Sequence, residues 1–263
     1  MPPGRSGPLR VVAVTQSDPF FTGRFFEAFL RESARLPLDI VEIVLLRNFN
    51  ESPAALALRL WKLYGTVDMI RLLGRYGAAR VAEWLGSPHR VEAVAAERGV
   101  PTRQLATIND PAYLRTLGIR GVDVLLSVAA PEIFRAAALR AAPHVLNVHC
   151  GKLPKYRGMM PTFWALHHGE REITVTVHQM ADQLDAGDVL AEYPVPVVPE
   201  DSAFDLAVRA KLVAGREVPR LLARLSTANA PTPRAVDPAF PQYFRFPTRR
   251  HAQELRATGR RML

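Results

Sequence analysis

Asn147 and His149 stand two residues apart at the end of an apolar run, HVLNVH (144–149), and the loop CGKLPKYRG (150–158) follows them. On a strand, side chains two apart leave the same face. An amide N–H can donate to an oxygen that gains negative charge, and an imidazole can take a proton near neutral pH. Together they suit acyl transfer, in which a carbonyl carbon is attacked and the nucleophile sheds a proton. Such an imidazole needs a carboxylate to fix its tautomer or favour its charged form. The segment ADQLDAGDVL (181–190) offers Asp182, Asp185 and Asp188. Asp185 stands just before Ala-Gly, in a turn where backbone can approach a ligand. Asp182 and Asp188 suit turn-forming and capping roles. Cys150 reads as a packed, inert thiol, and His178 as a hydrogen-bonded sheet histidine. His149 and His178 lack metal-ligand spacing, and a single Cys excludes a multi-Cys zinc site, so no metal is expected. The plainer alternative is that Asn147 and His149 only satisfy backbone groups at a strand end.

The elements that must hold these groups alternate. PLRVVAVTQ (8–16), LDIVEIVLL (38–46), VDVLLSVAA (122–130), HVLNVH (144–149) and ITVTVHQM (173–180) read as strands. FFTGRFFEAFLRESARL, HRVEAVAAERGV (89–100, stopped by Gly99), PEIFRAAALRAAP opened by Pro131, and PTFWALHHG (161–169) read as helices. Strands alternating with helices imply an α/β fold, a mostly parallel sheet with helices on both faces. Ligands bind such sheets at the carboxyl ends of strands, where the Asn-x-His pair falls. Residues 51–86 form a basic, helical insertion whose Leu56, Leu60, Leu63, Val67 and Ile70 share one stripe. Arg59 and Lys62 share a face there, as do Arg71 and Arg75. Residues 226–242 are Pro/Ala-rich, and the tail after them is Arg-rich.

Composition sets limits. Of 263 residues, 48% are hydrophobic and 22% charged, as in ordinary globular proteins. No uncharged apolar run is long enough to span a bilayer, and MPPGRSGPLR lacks a secretion signal, so a cytoplasmic protein is expected. The net charge of +9 favours anionic partners without choosing among them. There is no G-x-G-x-x-G, no phosphate-loop motif and no G-x-S-x-G. The turn TQSDPFF after the first strand has no Gly before Gly23 and is a poor phosphate cradle. A dinucleotide-dependent oxidoreductase is therefore not expected.

N-x-H, then L-P-x-Y-R-G, then L-D-x-G-D after a T-V-x-x-M strand, resembles the folate-dependent formyltransferases over about Val122 to Val197. That family includes the methionyl-tRNA, glycinamide ribonucleotide and sugar N-formyltransferases. The resemblance implies a Rossmann-like formyltransferase fold and 10-formyltetrahydrofolate as formyl donor. It implies Asn147, His149 and Asp185 as the catalytic trio. It implies a pterin site along Ser127, Val128, Ala129, Ala130 and Ile133 on one side, and Asp182 and Leu184 on the other. Lys152, Tyr156 and Arg157 are expected to meet the substrate, an acidic acceptor or the folate tail. Solvated loop charges and a packed Tyr156 are the competing reading.

Residues 8–225 are expected to form the catalytic domain, and 226–263 a connector with a basic C-terminal appendage. Only 65 residues follow Val198, too few for the full tRNA-binding module of methionyl-tRNA formyltransferases. The expected acceptor is therefore a small-molecule amine such as an amino sugar. The alternatives are an RNA-borne amine, water (a formyltetrahydrofolate hydrolase) and a non-enzymatic, basic RNA-binding module. Nucleic acid is not the favoured partner, and a dimer is left open.

Overall fold

Alternation in the strands decides which way every side chain faces, and the two faces of the sheet receive different residues. The computed structural model describes residues 7–18, 20–47, 52–86, 90–237 and 242–263. In chain order these form β1 (Leu9–Gln16), α1 (Thr22–Ser33), β2 (Leu38–Leu46), α2 (Pro53–Trp84), α3 (Val91–Glu97), β3 (Thr102–Leu105), α4 (Pro111–Ile119), β4 (Val124–Val128), β5 (His144–His149), β6 (Arg157–Gly158), α5 (Pro161–His167), β7 (Glu172–Gln179), β8 (Val189–Pro196), α6 (Ala203–Arg224), β9 (Tyr243–Phe244) and α7 (Arg249–Ala257). The main sheet has seven strands in the order β3-β2-β1-β4-β5-β7-β8. The first five are parallel, β7 runs antiparallel to β5, and β8 antiparallel to β7.

On one face, Val11 and Ala13, Val124 and Leu126, Leu146 and Val148, and Val175 and Val177 pack against Phe25, Phe26 and Phe29 of α1 and Leu221 and Leu222 of α6. On the other, Val12, Val14, Leu125 and Val145 pack against Tyr113, Leu114 and Leu117 of α4. The register slips between Val11 and Val12, where Val41 of β2 is skipped and Glu42 falls opposite Val12. That bulge turns Glu42 toward α4. There it accepts hydrogen bonds from Arg120 at 2.6 Å, Tyr113 at 2.6 Å and Arg103 at 3.1 Å. Burial alone would raise the Glu42 pKa, but the bonds from Arg120, Tyr113 and Arg103 outweigh it and hold the carboxyl below its ordinary value.

Two expected helices differ from the structure. The segment from Pro131 is not a helix: only Ala138–Arg140 forms a 3-10 turn. The Glu132 carboxylate is taken up instead by the Ile108 amide, Thr107 and Asn109, and these tertiary bonds hold the start of the segment out of a helix. The basic helix α2 does form, but it breaks at Gly65, whose φ of 75° and ψ of 173° lie where other residues are strained. The break resets the helical phase. Leu63 is buried and Leu56 and Leu60 are half-buried, whereas Val67 and Ile70 are exposed; Leu72 and Ala79 take their place inside. The start of the helix expected over 89–100 lies outside the described residues.

The C-terminal segment is not a loose appendage. Arg234 bridges to Val189, Val236 packs against Leu153 and Val189, and Phe244, Ala252, Leu255, Met262 and Leu263 join the large core cluster. Among the described residues no helix is long and apolar enough to cross a membrane. Glu42→Gln is expected to cost about 2–3 kcal/mol of stability, because charged hydrogen bonds to a buried group are lost; urea denaturation of wild type and variant measures it.

Candidate active site

The apolar cluster on the α4 face stops at Leu125 and Val145, and polar residues take over. Asn147 and His149 on β5 share the outward phase of Val145. In the antiparallel pairing Asn147 lies opposite His178 and His149 opposite Thr176. On the other side Ser127 lies beside Asn147. One patch of the sheet therefore carries a hydroxyl, an amide and two imidazoles.

Backbone carbonyls fix both rings. The Nε2–H of His149 donates to the Tyr156 carbonyl at 2.6 Å. Its Nδ1 is thereby the nitrogen left for chemistry, and it lies 3.7 Å from Asp185 Oδ1. His178 is held the opposite way: Nδ1–H donates to the Gln179 carbonyl at 2.7 Å, so Nε2 accepts from the Asn147 amide at 3.1 Å. Burial, reinforced by the nearby His149, lowers the His178 pKa from 6.5 to about 4. A neutral His178 makes its 3.7 Å approach to Asp185 Oδ1 a polar contact rather than an ion pair. The Asn147 amide has one N–H committed to His178 and a second left for a ligand.

Asp185 reaches both rings because its loop is clamped. Its backbone is left-handed, with φ 49°. Its Oδ2 accepts the Gly158 N–H at 2.8 Å. Arg157 donates to the Leu184 carbonyl at 3.1 Å from Nε and 2.6 Å from the adjacent guanidinium nitrogen. Gly158 has φ 102°, and a Cβ there would meet the Phe244 carbonyl oxygen at 2.2 Å. Phe244 belongs to β9, which pairs in parallel with β6 and sets Arg157 opposite Tyr243. Burial and the neighbouring Asp185 carboxylate raise the Tyr243 hydroxyl pKa. The tail therefore supplies part of the rim, which no local sequence signal announced.

The expected positions sort as follows. Asn147, His149 and Asp185 come together. Ser127 and Val128 are buried, Ala129 has φ 51°, Ala130 is half-buried, and Ile133, Asp182 and Leu184 are exposed. Ile133 and Leu184, 58% and 41% exposed, give the two segments outward apolar side chains, as a flat heterocycle requires of its walls. Tyr156 and Arg157 are not presented to solvent. Both are buried, Tyr156 donating to Glu170 at 2.7 Å and Arg157 holding the Asp185 loop. Lys155 is drawn to Glu170, while Lys152 is exposed. Cys150 is buried in the core. In the turn after β1, Asp18 accepts from the Phe20, Phe21 and Thr22 amides at 2.8, 2.6 and 3.1 Å. Its carboxylate fills the amide cradle that a helix start otherwise offers to a phosphate.

A mostly parallel α/β sheet with its polar groups gathered at one strand end is a Rossmann-like domain. The chain belongs to the formyl transferase family, whose model matches residues 54–222. It is 37% identical over 149 residues to a methionyl-tRNA formyltransferase of Anaeromyxobacter dehalogenans, an overlap of 56% of this chain and 47% of that one. The chain thus spans about half the length of the curated relatives it matches. Its fold is similar to a glycinamide ribonucleotide transformylase from Symbiobacterium toebii (TM-score 0.58, 20% identity, 89% of this chain and 96% of that one). It is also similar to a sugar N-formyltransferase from a Shewanella species (TM-score 0.56, 16% identity, 95% of this chain and 87% of that one).

Two outcomes follow from this geometry. Gly158→Ala should lower stability by about 1–3 kcal/mol, since it sets a side chain at positive φ against a backbone carbonyl; thermal melts check this. His178 binds its proton less readily folded than unfolded. The stability it confers is present above pH 6.5 and lost as pH falls toward about 4. The loss is on the order of 3 kcal/mol, read from urea titrations across that range, and His178→Gln should flatten it.

Proposed function

We propose that the protein transfers a formyl group from 10-formyltetrahydrofolate to an amine of a small-molecule acceptor, with Asn147, His149 and Asp185 as the catalytic residues. The observation that carries this reading is the convergence of the Asn147 amide, His149 Nδ1 and the Asp185 carboxylate on one patch of a formyl transferase sheet. When bound, the folate supplies the formyl carbon. The free Asn147 N–H and a proton on His149 Nδ1 donate to the formyl oxygen as the amine attacks and charge develops there. Asp185, 3.7 Å from His149 Nδ1, orients the ring and takes the proton that the amine releases. That proton is returned to the departing folate nitrogen, so the products are tetrahydrofolate and the formamide. Ser127, Val128, Ala129, Ala130, Ile133, Asp182 and Leu184 line the pterin, and Lys152 is the loop cation available to an acidic acceptor. Residues 8–225 are the catalytic unit, with Tyr243 lent to its rim by the C-terminal segment.

A second acceptor, an RNA-borne amine, is favoured by the similarity to methionyl-tRNA formyltransferases and by the net charge of +9. The two are separated by incubating the protein and 10-formyltetrahydrofolate with amino sugars, other small amines or methionyl-tRNA, and following tetrahydrofolate release. Release with a small amine alone supports the first reading, and release only with methionyl-tRNA the second. Release without any amine indicates a hydrolase. With the productive acceptor, Asn147→Ala and Asp185→Ala should each lower turnover by about 10²–10³-fold while melting as folded proteins. Near-normal turnover in either variant would remove the trio from the mechanism.

A further inference from the structure

Of the exposed large hydrophobic side chains among the described residues, most lie on α2 and the turn that ends it: Leu58, Trp61, Val67, Ile70, Leu73, Tyr76, Val81, Trp84 and Leu85. Beyond the Gly65 break they are ordered. Val67, Ile70, Gly74, Gly77, Val81 and Trp84 recur at alternating intervals of three and four, which keeps them on one side of the helix. That side faces away from the core, because Asp68, Leu72 and Ala79 occupy the opposite one. It carries no charge from Thr66 to Leu85. The Trp61 indole donates to Thr66 at 3.1 Å, which brings a further aromatic ring to its start. The stripe is about 28 Å long at 1.5 Å per residue, and an apolar strip of that kind marks an interaction surface.

Charge selects the occupant. α2 contains two acidic residues, Asp68 and Glu83, and both are turned inward. Each is outnumbered by arginines: Asp68 pairs with Arg71 at 3.0 Å and Arg256 at 2.9 Å, and Glu83 with Arg80 at 3.5 Å and Arg90 at 2.9 Å. Arg71 and Arg80 remain half or more exposed, one along each edge of the stripe. The surface is therefore apolar in the middle and cationic at both margins. A second copy would match it poorly. A two-fold antiparallel helix pair brings each margin against its own kind, so arginine margins would find no acidic partner. Gly74 and Gly77 would also leave the centre of the seam without side chains to bury. Fluid acyl chains fill such a gap, and anionic headgroups match both margins.

We propose that the outer face of α2, from Trp61 to Leu85, is a membrane-surface helix that docks on anionic lipid, with its apolar stripe in the acyl boundary and Arg71 and Arg80 at the phosphates. This docking is separate from the formyl transfer reading and is tested without any activity measurement. The full chain is floated with vesicles of equal parts phosphatidylcholine and phosphatidylglycerol, and with phosphatidylcholine alone. Tryptophan emission is recorded, since Trp61 and Trp84 are exposed and Trp164 is buried. The expected result is binding to the anionic vesicles with a blue shift, and weaker binding to the neutral ones. The double variant Ile70→Asp/Val81→Asp should keep its circular dichroism and melting temperature but lose affinity by about tenfold or more. Absence of binding to the anionic vesicles, equal binding to neutral ones, or unchanged binding of the double variant would overturn the proposal. So would light scattering that finds a lipid-free dimer which the double variant dissociates, since the face would then belong to a second copy.

Discussion

One hydrogen bond determines whether the site exists: the Gly158 amide donating to Asp185 Oδ2 at 2.8 Å. The Asp185 loop is joined to the sheet through residues whose side chains are mostly exposed, and its backbone at residue 185 is left-handed, a conformation that Asp tolerates better than most residues but that needs support from its surroundings. Beside Asp185 it is held down by that amide and by the Arg157 guanidinium on the Leu184 carbonyl. Both donors come from β6, a two-residue strand whose partner is β9 of the tail. The carboxylate is thus held against the two imidazoles with the help of pairing between segments more than eighty residues apart.

The clamp matters because the two histidines are set as opposites. The Tyr156 carbonyl takes the Nε2 proton of His149, and the Gln179 carbonyl takes the Nδ1 proton of His178. One ring is left with a nitrogen toward Asp185. The other, kept neutral by burial, is left with an acceptor toward Asn147. His178 is a positioning residue in this arrangement: it orients an amide whose second N–H is then available to a developing oxyanion. Electrostatic catalysis depends on donors that are already aimed, since reorientation during reaction costs the stabilisation they supply.

Much of the fold was legible in the five expected strands, because their apolar, β-branched runs are buried in the sheet, although the bulge that skips Val41 left no sequence signal. The Asn147–His149 pair was legible from the two-residue strand period, and Asp185 from its place before Ala-Gly and from the family resemblance. Other features required long-range partners. Pro131 opens a good helical sequence, yet Glu132 is claimed by Thr107, Ile108 and Asn109 across the sheet end. Val67 and Ile70 continue the stripe of Leu56 to Leu63 on paper, and only the conformation of Gly65 shows that they turn outward. Arg157 reads as a loop cation for a substrate or for solvent but is buried on a carbonyl. Tyr243 follows a Pro/Ala-rich stretch that carries no signal of where the chain returns.

The most direct test of this arrangement is the nitrogen-15 chemical shifts of the imidazole nitrogens at neutral pH, assigned with His149→Gln and His178→Gln variants. The expected result is a proton on Nε2 of His149, and a neutral His178 that carries its proton on Nδ1. A charged His178, a neutral His178 with its proton on Nε2, or a His149 without its Nε2 proton would contradict the geometry from which the proposed chemistry is built.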